Sequence, residues 1–257
     1  MHALLLAAGL CAVAAPGLAF GPGEELVYDL SFFGAEAGTV RVDVGAAMEL
    51  RGKAVWPIVV ISRSAGAVDA VYPVRDRFVT YWDFAARQGV QAMLVAHEKG
   101  KSRRLSIAFE RGGADGGAAT VAQVEIEDEH GLERFRRELP PGAEDLGSAI
   151  YWLRTRPLRV GDREELPIFT GKHEWTLVAT VLGKETIEGK LGKVPAIHVR
   201  LATVLSGKLA GRRDLDGWFS DDPRHVPLRL DADLLLGTVR ADLVRVEPGR
   251  VESPGHD

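Results

Sequence analysis

Cysteine is almost missing from this chain. Cys11 is the single one among 257 residues, so no intrachain disulfide can form. No two histidines stand four apart and no cysteines are paired, which removes the usual zinc-ligand spacings. No Gly-x-Ser-x-Gly elbow occurs, and the glycine-rich stretch Gly112 to Gly117 has no Lys-Ser or Lys-Thr to hold a phosphate. Neither charge sign is in excess: 32 Lys and Arg face 36 Asp and Glu, a formal charge of -4. Phosphate backbones and anionic membranes are read by clustered cations, so nucleic acid is excluded as a main partner and a polybasic membrane patch is absent. Aromatic residues are sparse at 7% and the last residues are polar, which argues against the aromatic girdles of an outer-membrane barrel.

What is present begins with an apolar leader. No Asp, Glu, Lys or Arg precedes Glu24. Gly17-Leu18-Ala19 puts small residues at the positions a signal peptidase reads, and the sequence turns polar after Phe20. Residues 1–19 are therefore expected to be a signal peptide cut between Ala19 and Phe20. A leader of this kind normally carries Lys or Arg at its start. Here the amino terminus and His2 must serve, or the true start lies upstream. An uncleaved anchor is the competing reading. So is acylation at Cys11, although Leu10 fits a lipoprotein signal poorly. Removal of 1–19 leaves a chain without cysteine, suited to an oxidising compartment. No transmembrane segment is expected in the remainder.

That remainder alternates with period two. Leu26, Tyr28, Leu30 and Phe32 share one face, as do Val40, Val42 and Val44. Val226, Leu228, Leu230, Ala232 and Leu234 give the cleanest run, with Arg229, Asp231 and Asp233 facing water and Arg240 and Asp242 placed to pair with them. The interval Val68 to Tyr72 suggests a helical turn. One longer helix is expected from Asp145 to about Arg156: Asp145 can cap it, Leu146, Ala149, Ile150 and Leu153 form its stripe, and Pro157 stops it. The predicted fold is all-β, an antiparallel meander curled into an open barrel or roll, with this amphipathic helix against it. One unit over 20–247 is expected, with a possible sub-boundary near 140–144 at Pro140-Pro141-Gly142, and a flexible tail over 248–257.

The order of several segments then resembles a bacterial family of exported proteins classed only as a domain of unknown function. Gly23-Glu24-Glu25-Leu26-Val27-Tyr28-Asp29-Leu30 followed by Ala37-Gly38 opens the likeness. It continues through Ala70-Val71-Tyr72-Pro73-Val74-Arg75-Asp76 and is strongest from Asp145 to Leu158 and at Gly161-Asp162. It closes at Trp218-Phe219-Ser220-Asp221-Asp222, Arg224, Pro227-Leu228-Arg229 and Gly237. The resemblance spans nearly all of the chain after the leader. It implies an exported, β-rich envelope protein and carries no activity.

Candidate sites are thin. Asp214-x-Asp216-Gly217 lacks the further ligands of a calcium loop, and Asp221 and Asp222 with His225 read as turn chemistry. Asp231 and Asp233 share a face as glycosidase acids could, but that face is the solvated one. Ser148 lies inside the helix, where no strained turn would project it. Lys172 to Trp175 reads as a hairpin tip followed by a core tryptophan. The helix offers the one ligand reading: Tyr151 or Trp152 against a ligand and Arg154 on an anionic head, in competition with plain core packing. No catalytic residue, metal or other cofactor is expected. The leading expectation is a non-catalytic periplasmic or envelope protein that binds a lipid or other amphiphile, or an envelope partner protein. A structural component of an envelope assembly is the alternative, and an envelope hydrolase comes after it.

Overall fold

The computed structural model describes residues 18, 20–112, 120–205, 213–234 and 237–250. The leader with Cys11 and the cleavage residue Ala19, and the glycine-rich loop beyond Gly112, lie outside them.

The chain is one antiparallel sheet. Its first half runs through β1 (Glu25–Phe32), β2 (Ala35–Val44), β3 (Met48–Leu50), β4 (Lys53–Ser64), β5 (Arg75–Asp83), β6 (Gln88–Glu98), β7 (Lys101–Arg111), β8 (Thr120–Asp128) and β9 (Gly131–Leu139). A short helix, α1 (Gly66–Val71), interrupts it between β4 and β5. Helix α2 (Leu146–Arg154) follows. The second half is β10 (Arg163–Phe169), β11 (Glu174–Gly189), β12 (Gly192–Leu205), β13 (Arg213–Ser220), β14 (Pro227–Leu234) and β15 (Gly237–Glu247). Apart from β3, which pairs only with β4, each strand lies beside its neighbour in the sequence except at the break between β9 and β10, and β15 returns to pair with β1. The meander is thus continuous from β10 through β15 and β1 to β9.

Such a sheet leaves β9 and β10 as edges, and edges with unpaired amides are hazardous. A strap pairs with the β10 edge. Glu144 N–H donates to Pro167 O at 2.9 Å and Phe169 N–H donates to Glu144 O at 2.9 Å, a short parallel bridge between the β9–α2 connection and β10. Arg137 with Glu174 and Lys172 with Glu133 tie the same seam from outside. The result is a nearly closed barrel.

The alternation read from the sequence is the barrel's inside and outside. Leu26, Tyr28, Leu228 and Leu243 are buried, while Arg229 bonds Asp242 at 2.6 Å and Arg240 bonds Asp231 at 2.7 Å on the outer face. Beyond β15, Arg250 N–H donates to Pro22 O at 2.9 Å, and the remainder of the expected tail, 251–257, lies outside the described residues.

Helix α2 enters the barrel rather than lying on its surface. Asp145 caps it, accepting from Gly147 N–H at 2.8 Å and Ser148 N–H at 3.0 Å, and Ser148 Oγ accepts from Asp145 N–H in return. Ala149 and Leu153 are buried against residues of β10 to β13. Gly147 is needed for this approach, because a Cβ there would stand 2.7 Å from the Phe78 ring. Thr155 ends the helix, two residues before Pro157.

Candidate functional site

Between α2 and one wall of the barrel lies a cavity of about 330 Å³. Leu26 and Tyr28 of β1, Val40 and Val42 of β2, and Ile58 and Val60 of β4 form much of its wall. Phe78 of β5 and Pro227, Leu230 and Ala241 of β14 and β15 complete the sheet side. Leu146, Gly147, Ile150, Tyr151 and Arg154 form the roof. These are the inward positions of alternating strands and one helix face, so the apolar lining is a direct product of the sequence period. Solvent reaches the lining: Leu146 is 55% exposed, and Val60, Phe78, Ile150 and Leu230 are only half-buried.

One end of the cavity is sealed. Phe20 is 1% exposed and packs edge-on to Tyr151 with ring centres 4.7 Å apart, beside Trp56 and Trp82. Below it Arg154 gives Nη1 and Nη2 to the two carboxylate oxygens of Glu24 at 2.6 and 2.8 Å, and its Nε to Arg224 O at 3.2 Å. Its guanidinium also lies 4.6 Å from the Phe20 ring centre. Tyr151 O–H adds a third bond to Glu24 at 3.2 Å, and Tyr28 O–H donates to Pro227 O at 2.8 Å. Burial pushes both tyrosine hydroxyls well up, so neither ionises near neutrality. For Arg154, burial opposes the cation, but the Glu24 bonds outweigh it and its pKa is raised. The polar atoms at the sealed end are therefore occupied by one another. What the cavity presents to a guest is hydrocarbon.

A second buried polar group anchors the helix start. Asp145 Oδ2 accepts from Thr80 O–H at 2.7 Å and from Ser148 O–H at 2.8 Å. Glu144 accepts from Gly89 N–H at 2.7 Å and pairs with Arg111 at 3.0 Å. Burial pushes the Glu144 carboxyl up to about 7 against the pull of Arg111, and burial also raises Asp145 against its several donors. Gly89 has no room for a side chain: a Cβ would meet Asp145 Oδ2 at 2.8 Å and both Glu144 Oε2 and Ser148 Oγ at 2.9 Å.

Of the three helix residues expected to face a ligand, two line the cavity and one does not. Tyr151 lines the cavity but turns its hydroxyl to Glu24. Arg154 lines it too, fully buried, with both terminal nitrogens held by Glu24. Trp152 faces the opposite side, packed against the β10–β13 cluster with Arg156 5.0 Å over its ring. The residues that sequence reasoning missed are Phe20, Glu24, Glu144 and Arg111. Arg154 held a clue, since it falls one turn after Ile150 on the apolar stripe and a cation there requires a buried partner. Glu144 sits in an irregular segment without periodicity, so no pattern marked it.

The remaining candidates do not converge. Asp222 accepts from Ser220 O–H and pairs with Arg224, Asp221 pairs with Lys184, and His225 Nδ1 is 3.3 Å from Arg154 O. Asp216 lies on the outside against His198 at 2.9 Å. Trp175 is half-buried at the edge of the core. Among the described residues no group of three His, Cys, Asp or Glu is placed to hold a metal ion, and no helix is long and apolar enough to cross a membrane.

The profile of the protein-of-unknown-function family DUF3108 matches residues 27–244. The chain belongs to this family. No curated protein matches it. Among solved structures, a beta-barrel-like protein of the domain of unknown function DUF1849 from Brucella abortus is similar over 90% of this DUF3108 chain and 99% of its own, with TM-score 0.61 at 13% identity. That likeness shows the barrel-like fold. A candidate exported protein with a YmcC-like fold from Bacteroides fragilis, 8% identical, covers 90% of this chain and 98% of its own at TM-score 0.33. A candidate lipoprotein from Parabacteroides distasonis, 10% identical, covers 90% and 99% at TM-score 0.33.

Proposed function

We propose that this member of DUF3108 is an exported, non-catalytic envelope protein that holds the hydrocarbon part of an amphiphile between α2 and the barrel wall. The cavity carries the reading. Its volume of about 330 Å³ falls at the lower end of the range for ligand sites, and its lining is apolar yet open to solvent. A half-exposed apolar interior costs free energy unless something covers it, at roughly 25 cal/mol for each Å² left wet. The apolar leader over 1–19 and the lack of cysteine after it support export.

The test is to recover the processed protein from a bacterial periplasm without detergent and to examine it by native mass spectrometry with lipid extraction. A co-purifying amphiphile, displaced by a fluorescent fatty-acyl probe, is expected. Val60→Trp, which fills the cavity from β4, should weaken the probe at least tenfold. Trp152→Ala, which faces the other core, should leave affinity within about twofold. A wild-type protein that carries nothing and binds no probe, or equal binding by Val60→Trp, would sink the reading.

A further inference from the structure

Phe78 lines one side of the apolar cavity. Phe78 is cross-strand partner to Leu94, and Leu94 lines a second compartment of about 430 Å³ at the open rim of β6, β7 and β8. This compartment is polar. Lys99, Lys101 and Arg103 supply cations, and Glu98, Asp128 and Glu129 supply carboxylates. Most of these groups are engaged. Lys101 pairs with Glu129 at 2.5 Å, Glu98 accepts from Tyr72 O–H at 2.9 Å, and Asp128 accepts from His130 N–H at 2.8 Å.

Neither the Lys99 nor the Arg103 side chain has a hydrogen-bond or ion-pair partner among the described residues, but Lys99 is exposed whereas Arg103 is half-buried. Its parity along β7 is that of Leu105, Ile107 and Phe109, all buried in the barrel, so its side chain starts from the concave face. It stands opposite Ala96, one inward position above the Leu94–Leu105 pair, about 7 Å up the strand. A guanidinium left without a carboxylate beside an apolar wall is suited to an oxyanion, which it can grip with two N–H donors. The surrounding carboxylates Glu98, Asp128 and Glu129 oppose a head of high negative charge.

We infer that Arg103 is the head-group site for the guest of the apolar cavity, and that the guest is an acyl-chain amphiphile bearing a single oxyanion, a carboxylate or a phosphate diester. The inference rests on reading the cavity as an amphiphile site. The chain lies between α2 and β1, β2, β4 and β5, passes the Phe78–Leu94 pair, and presents its oxyanion to Arg103. The Arg154–Glu24 pair at the sealed end takes no part in holding the head.

Three probes of equal chain length separate the possibilities: a fatty acid, a lysophosphatidylethanolamine and a monoacylglycerol, each titrated below its micellar concentration. Arg103→Gln should weaken whichever oxyanionic probe binds by about tenfold and leave monoacylglycerol within about twofold. The tighter of the two anionic probes identifies the oxyanion. Arg104→Gln, on the outward face and paired with Glu127, is the control and should change nothing. Equal losses for charged and uncharged probes, or no loss for the anionic ones, would overturn the head-group assignment while leaving the cavity reading in place. Failure of all three probes to bind the wild type would remove both.

Discussion

Replacing Glu24 by Gln should destabilise the protein more than any surface charge change. The side chain of Arg154 is fully buried and that of Glu24 is 3% exposed, so neither charge is compensated by water. The substitution keeps the size of the side chain and removes its charge. Arg154 then remains buried with the Arg224 carbonyl and two aromatic faces as its neighbours. Removing one partner of a buried pair typically costs about 3–5 kcal/mol, because the charge left behind has lost both water and partner. For a chain of this size each kcal/mol lowers Tm by about 2–4 °C, so a fall of about 6–20 °C is expected. Urea denaturation followed by tryptophan fluorescence reads the same quantity, since Trp56 and Trp82 adjoin the site. The double variant with Arg154→Met tests the cause. If the stranded cation is what costs, removing it as well should recover most of the loss, since apolar replacement of a buried pair is often neutral or better. A loss below about 1 kcal/mol for Glu24→Gln, or a double variant worse than the single one, would refute the reasoning.

Three further outcomes follow from the helix anchor. The carboxyl of Glu144 is raised from 4.5 to about 7 by burial, so the folded chain holds a proton there that the unfolded chain releases. The resulting stability is full below pH 4.5 and lost as pH rises through about 7, at most about 3 kcal/mol, and Glu144→Gln should flatten the urea midpoint across that window. Asp145→Ala removes the cap of α2 and strands Thr80 Oγ1, so a loss at or above the upper end of the usual 0.5–2 kcal/mol for a cap is expected by thermal denaturation. Gly89→Ala should cost about 1–3 kcal/mol by crowding three oxygens, and a variant as stable as wild type would show that the strap can move aside.

The fold was legible where one face of a strand is buried and the other wet. Val226 to Leu234 alternates because Leu228 faces the interior while Arg229 and Asp231 bond across strands outside. The helix was legible through Asp145 and the Ala149–Leu153 spacing. Less legible were features built from residues far apart in the chain. Glu24 and Arg154 are 130 positions apart, and nothing local marks either as the other's partner. Arg154 followed the rule that a cation suits a helix C-terminus, yet it is fixed by a buried carboxylate rather than by the dipole alone. Trp152 was grouped with Tyr151 by type and adjacency. Neighbours on a helix are about 100° apart, and that angle sends Trp152 into the second core while Tyr151 faces the cavity. Arg103 drew no attention in the sequence, because among several arginines of one strand only the register tells inside from outside.

The placement of Phe20 and Glu24 has a consequence for how the cavity comes to exist. They stand at the start of the described chain, yet they seal the floor beneath a helix from its middle, and β1 must pair with β15 to hold them there. The Tyr28–Pro227 hydrogen bond spans 199 positions and closes the same wall. Contacts of such separation form after local hairpins, since loop closure must be overcome before they contribute. The hairpins β4 to β9 and β10 to β13 can pair from local sequence alone, whereas the floor, the roof and the β1–β15 seam require the whole chain. The cavity is therefore expected to be the last part of the barrel to form. A variant weakened at Glu24 should lose amphiphile binding at lower urea than it loses strand signal in circular dichroism. Coincident transitions would instead show that the cavity and the sheet fold as one unit.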